Sequence, residues 1–216
     1  MPVKLFYFHD PMCSWCWGFA PTWQRLQDRI NSELNHKLKI EYILGGLAPD
    51  SDEPMPLELQ QTLQSYWRRI EQMLGTEFNH DFWAKCQPRR STYPACRAVI
   101  AAGKQGKEKA MIRAIQEAYY LKAKNPSDYS THVDLAQNIN LNEKAFAQDI
   151  HSDKTNEELH RQIQLHRSLP SNGFPSLVIE YEKGHIPIPV DYKHVEPMFD
   201  RIKSALNNSN TGESHG

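Results

Sequence analysis

Cys13-Ser14-Trp15-Cys16 is the segment of this sequence most able to do chemistry. Two cysteines three positions apart on a helix share one face, near enough for their sulfurs to bond. A thiolate attacks disulfides, so such a pair can exchange them with another molecule. The same spacing also forms half of many zinc sites. Zinc needs two further ligands, and the other cysteines, Cys86 and Cys96, have nine residues between them rather than a second short spacing. The ten histidines are scattered without a compact ligand run. Neither a metal nor an organic cofactor is therefore expected, and the redox reading is favoured. A pair of inert structural cysteines fits poorly at the exposed start of a helix.

The elements that must hold this pair are legible around it. Residues 3–8 (VKLFYF) are short, apolar and aromatic, as in a buried strand. Asp10-Pro11 breaks it, and the Asp-Pro pair reads as a turn rather than as a proton relay. Residues 14–31 carry a helical apolar stripe through Trp17, Ala20, Trp23, Leu26 and Ile30, with Pro21 inside it. Cys13 then sits where a helix begins, and free backbone N–H groups and the helix dipole favour a thiolate there. Cys16 lies one turn further in, suited to resolve a mixed disulfide. Residues 38–44 alternate as a second strand and end at Gly45-Gly46. Glu41 falls on the opposite face from Leu38, Ile40 and Tyr42, a weak candidate for a buried acid serving Cys16.

From about residue 50 to 170 the periodicity is helical. Leu59, Leu63, Trp67, Ile70 and Leu74 recur at three or four residues, as do Ala95, Val99 and Ala102, and Met111, Ile115 and Ala118. Leu141, Phe146 and Ile150 mark a further helix. Thr155 with Glu158 predicts a capping box ahead of Leu159 and Ile163. After Gly173 the pattern changes. Residues 176–181 (SLVIEY) read as a strand, 182–185 as a turn, and 185–190 (HIPIPV) as a strand whose prolines place it at an edge. Val195, Met198, Phe199, Ile202 and Leu206 build a last helix before a polar tail expected to be disordered. The predicted fold is α/β: a four-stranded sheet flanked by helices, formed by residues 1–50 and 170–207, with an all-helical insertion over 51–169 and a tail over 208–216.

Gly173-Phe174-Pro175-Ser176 stands directly before the penultimate strand. A cis X-Pro bond is uncommon and serves tight backbone geometry; Pro175 is the candidate. The strand and pair LFYFHDPMCSWCWGF, the helical block and NGFPSLVIE together resemble the DsbA-like branch of the thioredoxin superfamily, over nearly the whole chain apart from the tail. They look closest to its cytosolic predicted protein-disulfide isomerase group and FrnE-type proteins. The resemblance implies a thioredoxin-like fold, Cys13 as nucleophile, Cys16 as resolving thiol, and Pro175 as the cis-proline facing them. Phe174, Trp15 and Ser14 are then the candidate substrate-binding residues, with Phe174 offering backbone groups to an extended segment. Cysteine-containing proteins are the implied substrates, and glutathione is a candidate reductant. DsbA carries Pro-His between its cysteines. Ser14-Trp15 supplies no cation there, which implies a less oxidising couple.

The net charge of −1 and the 39% hydrophobic content give a globular chain with no field for nucleic acid. No stretch suits a membrane span, and MPVKLFYFHDP does not read as a secretory signal, so a cytoplasmic address is expected. Cys96 reads as a buried free thiol. Arg89, Arg90 and Arg97 read as a solvated basic turn, with a glutathione carboxylate as their alternative partner. Two other functions share this architecture: a kappa-type glutathione transferase or chromene-carboxylate isomerase, and a non-catalytic holdase or adaptor.

Overall fold

The computed structural model describes residues 3–34, 37–182 and 184–210, with side chains through residue 207. Strand β1 (Val3–His9) leads into helix α1 (Ser14–Glu33), which returns to β2 (Leu38–Leu44). Seven helices follow: α2 (Leu57–Leu74), α3 (Phe82–Lys85), α4 (Tyr93–Gly103), α5 (Glu108–Tyr120), α6 (Tyr129–Asn138), α7 (Glu143–Ile150) and α8 (Asp153–Ser168). Strands β3 (Ser176–Tyr181) and β4 (Gly184–Ile188) and helix α9 (Glu196–Asn210) complete the described fold. The sheet order is β2-β1-β3-β4. β1 runs parallel to β2 and antiparallel to β3, which pairs antiparallel with β4. The sheet with helices on its faces is the α/β arrangement expected. β4 is the edge strand and ends before Pro189, as its prolines suggested.

Alternation along β1 divides the core. Leu5 and Tyr7 face α1 and α9, where Phe19, Trp23, Leu26, Ile30 and Phe199 pack with Leu177 and Ile179. Phe6 and Phe8 face the other way, with Ile43 and Val178, and meet Leu165 and Leu169 at the end of α8. The helical block owns a separate apolar cluster built on Ala95, Val99, Met111, Ile115, Phe146 and Leu159, to which Leu44 of β2 belongs. It is therefore packed onto the sheet by shared side chains. The small residues of α4 allow this: Ala95, Ala98, Ala101 and Ala102 are fully buried.

Two expectations need correction. The cap of α8 is Ser152, whose Oγ accepts from the Thr155 N–H at 3.3 Å. Thr155 is a buried residue of the first turn, and Glu158 pairs instead with Arg161. Ser152 caps better because its extended backbone aims its hydroxyl at that free donor. The expected tail also begins too early: α9 continues through residues 207–210, carried by the apolar face that ends at Leu206. Residues 211–216, and Lys183 of the predicted turn, lie outside the described residues.

Two buried histidines give the fold an acid limit. Burial holds His9 down to about 3 and His132 down to about 4. In the unfolded chain both titrate near pH 6.5, so over this window the unfolded state binds more protons. Stability should be level above about pH 6.5 and fall progressively as pH drops toward 4. Urea unfolding between pH 7 and pH 4 checks this, and His132→Gln should shallow the decline.

Candidate functional site

The β1–α1 junction makes the site. Cys13 is the N-cap of α1 in extended conformation, and its N–H donates to the Asp10 carbonyl at 3.0 Å. Ser14 opens the helix, and no acidic residue stands in the first turn to oppose an anion at its free N–H groups. Both cysteines are free thiols. Cys13 is 7% exposed and Cys16 fully buried. The two thiols are close neighbours. Burial pushes the Cys16 thiol well up, and the hydrogen bond and charge of Cys13 add to this; a donor bond from the Asp10 backbone works the other way. Cys16 is thus held as a protonated thiol behind its partner. The Tyr7 hydroxyl is hydrogen-bonded to Cys16 and is itself raised well above the ordinary tyrosine range by burial.

The second half comes from far along the chain. The register of β1 with β3 pairs Phe8 with Ser176, which brings the preceding residues beside the β1–α1 turn. The Phe174–Pro175 peptide is cis. The Cys13 thiol donates to the Phe174 carbonyl at 3.5 Å. The Phe174 ring is half-buried: it packs against the cluster of Phe6, Phe8, Ile43 and Val178 and lies 4.5 Å from the His166 ring. The structure therefore brings Cys13, Ser14, Cys16, Phe174 and Pro175 together. Trp15 is half-buried, its ring against Tyr192 at 5.4 Å and beneath the Arg69 guanidinium at 5.7 Å. A cation does stand beside the dipeptide between the cysteines, supplied by α2 and out of reach of local sequence reading.

A cavity of about 170 Å³ opens beside Cys13. Its walls are mostly apolar, from Met12, Leu47, Met55, Trp67 and Tyr119, with Trp15 and Phe174 at the cysteine end. Arg89 and Arg90 also line it. Arg89 is ion-paired with Asp128, whereas the Arg90 guanidinium makes no ion pair or hydrogen bond among the described residues. The solvated basic turn is thus corrected: two of the three arginines face the cavity. Arg97 lies elsewhere, forked onto Asp50 at 2.9 and 2.5 Å, and holds that carboxyl below the usual range.

The candidate acids exchange places. Glu41 lies at the surface in ion pairs with Lys39 (2.8 Å) and Lys4 (3.8 Å), away from Cys16. Asp10 is the buried carboxyl, fully enclosed and raised by that burial. It does form the expected turn, since its Oδ1 accepts from the Met12 N–H at 2.8 Å. Its Oδ2 accepts from the Leu47 N–H, the Thr92 hydroxyl and the Cys96 thiol. Sequence reading missed this because the partners lie 37 to 86 positions away. Cys96 is buried and free as expected, and Cys86 donates to the Ala123 carbonyl at 3.0 Å. No group of three or more metal-ligating side chains occurs among the described residues.

Comparison with known proteins gives a consistent fold. Residues 6–185 match the family model described as thioredoxin. A solved structure from Nitrosomonas europaea, provisionally assigned as a protein disulfide isomerase, is 26% identical with a TM-score of 0.81 and covers 96% of this chain and 99% of its own. The cytosolic disulfide reductase DsbM from Pseudomonas aeruginosa superposes with a TM-score of 0.70 at 22% identity, covering 96% and 98%; it has also been solved with GSH. Among curated proteins, the ClpXP adapter protein SpxH of Halalkalibacterium halodurans is 24% identical over 212 residues, which are 91% of this chain and 68% of that one. The chain thus spans about two thirds of that relative's length.

Gly45 offers a direct test of how Phe174 is seated. A Cβ there would lie 1.8 Å from the Phe174 ring, so any side chain must expel it. Gly45→Ala should move the Phe174–Pro175 backbone away from Cys13 while the sheet persists. The rate of Cys13 with a peptide disulfide should then fall by about tenfold, because a misplacement near 1 Å costs that much or more. Stopped-flow thiol kinetics, with circular dichroism as the fold control, measure it.

Proposed function

The chain belongs to the thioredoxin family, and from that premise we propose that it is a thiol–disulfide oxidoreductase acting on cysteine-containing proteins. The observation that carries this reading is the Cys13 thiol at a helix start, with a second thiol behind it and a cis-peptide carbonyl 3.5 Å in front. Cys13, as thiolate, attacks one sulfur of a substrate disulfide. That S–S bond breaks, and the departing substrate thiolate takes up a proton. Cys16 then gives up its proton and attacks the Cys13 sulfur. The mixed disulfide breaks, the second substrate thiol leaves, and Cys13–Cys16 becomes the disulfide. The substrate has gained two electrons; the reverse direction oxidises a dithiol, and release before resolution permits isomerisation.

Phe174 and Pro175 support the backbone of the bound segment, and Ser14 and Trp15 form the adjoining surface. No helix among the described residues is long and apolar enough to cross a membrane. With a cytosolic reductase among the structural relatives, this supports a cytoplasmic setting. In a reducing compartment the net direction is reduction or isomerisation. The two electrons then come from a thiol reductant, and glutathione suits the site: two molecules leave as their disulfide and restore both thiols. The uncommitted Arg90 guanidinium in the apolar cavity suits its carboxylates.

A second reading is favoured by the curated relatives' name: a protein adapter that works without its thiols. The two readings separate cleanly. Reduction of insulin and refolding of scrambled ribonuclease should both be lost in Cys13→Ala, by at least a hundredfold over background. An adapter would bind its partner equally well with that substitution. For the reductant, Arg90→Ala should raise the KM for glutathione about fivefold to tenfold with kcat little changed, the signature of lost uniform binding. Recycling of the Cys13–Cys16 disulfide at varied glutathione concentration measures it.

A further inference from the structure

The mechanism above leaves the Asp10 carboxylate without a part, although it is the most heavily committed side chain beside the site. It is fully buried and has no cation paired to it among the described residues. A lone buried carboxylate is costly unless hydrogen-bond donors replace its water. Here four do, and they come from three separate stretches of chain. Met12 belongs to the catalytic turn, Leu47 to the connection leaving β2, and Thr92 and Cys96 to the start of α4 in the helical insertion. The distances are 2.8 Å to Met12, Leu47 and Thr92, and 3.6 Å to the Cys96 sulfur.

Three of those four donor residues, Met12, Leu47 and Thr92, also line the cavity beside Cys13. The joint continues outward: the Ala48 N–H donates to Thr92 Oγ1 at 3.1 Å, and the Ala48 carbonyl accepts from the Thr92 and Tyr93 N–H groups. Arg89 and Arg90 stand immediately before this joint in sequence, so the wall that carries them is anchored through it.

We propose that Asp10 is a positioning residue for the exchange reaction: its carboxylate clasps the catalytic turn to the helical insertion and so sets the shape of the substrate cavity over Cys13. The proposal rests on the oxidoreductase reading for its kinetic consequence, though not for the clasp itself. Asparagine is nearly the same size but cannot do the same work. One of its two ends donates: with the amide oxygen toward the three donors on the Oδ2 side the NH₂ meets the Met12 N–H, and in the flipped orientation it meets those three. In the first orientation the Met12 N–H of the turn loses its acceptor; in the second the Leu47 N–H and the Cys96 thiol lose theirs, while the Thr92 hydroxyl can turn to the Ala48 carbonyl, 3.4 Å away.

The test compares wild type, Asp10→Asn and Thr92→Val. Thr92→Val keeps the side-chain shape and removes one donor to Asp10 together with the acceptor of the Ala48 N–H, so it reports on the clasp even where Asp10→Asn folds poorly. Two quantities are read: KM and kcat for reduction of a glutathionylated peptide, and hydrogen exchange at the Met12 and Leu47 amides. Asp10→Asn should raise KM about tenfold with kcat within about twofold, and should speed exchange at the Met12 amide or, with the side-chain amide flipped, at the Leu47 amide. Thr92→Val should move both readouts the same way by a smaller factor. Unchanged amide exchange in both variants, or faster exchange with KM unmoved, overturns the proposal. Absence of turnover in wild type would defeat the oxidoreductase reading instead, and exchange at Met12 and Leu47 would still decide whether Asp10 holds the turn.

Discussion

Everything distinctive in this molecule depends on one meeting: the thiol of Cys13 with the carbonyl of Phe174, residues 161 positions apart in the chain. Neither end is free to adjust. Cys13 is fixed by the turn from β1 and by the first turn of α1. Phe174 is fixed by the β1–β3 register and by its ring, which fills the space that the missing Gly45 side chain leaves. A one-residue slip of β3 in that register would turn Val178 to the opposite face from Phe6 and Phe8, so the hydrophobic core and the meeting enforce each other. Packing that looks purely structural thereby holds the Cys13 sulfur against the Phe174 carbonyl.

How much of this was readable in the sequence follows from the range of the interactions. β1, α1 and β2 were legible to within a residue or two because apolar spacing and the Gly45-Gly46 stop are local signals. Cys13 and Cys16 were legible for the same reason, and the cis bond at Pro175 matched the position that the family resemblance assigned. The cap of α8 was misplaced because Ser152 and Thr155 have equally suitable side chains, and only the backbone angles choose between them. Arg90 and Asp10 were undervalued because each gains its meaning from partners in other elements. A sequence presents Arg89-Arg90 as two adjacent charges; the fold ties one to Asp128 and leaves the other facing the cavity. Arg69, brought over Trp15 from another helix, was unreadable in the same way.

The surroundings of Cys16 form a dry compartment. Tyr7, Tyr120 and Asp10 are all buried around the pair, and the Tyr120 hydroxyl has no hydrogen-bond partner among the described residues. In such a place an anion has little solvent to stabilise it, so the inner thiol stays neutral until a reaction forces the issue. The outer thiol has the helix terminus and a cavity mouth. Two identical side chains are thus given different surroundings by position alone.

The far edge of the sheet is shaped for a different purpose. β4 carries Pro187 one residue from its end and is followed by Pro189, so the strand is deprived of an amide donor and cut short. An open strand border with a full row of donors and acceptors is a template on which foreign chains can add themselves. A protein whose work brings it against unfolded polypeptides would risk recruiting them into growing aggregates along such a border. The prolines interrupt that template, so the border offers a foreign strand fewer donors to pair with.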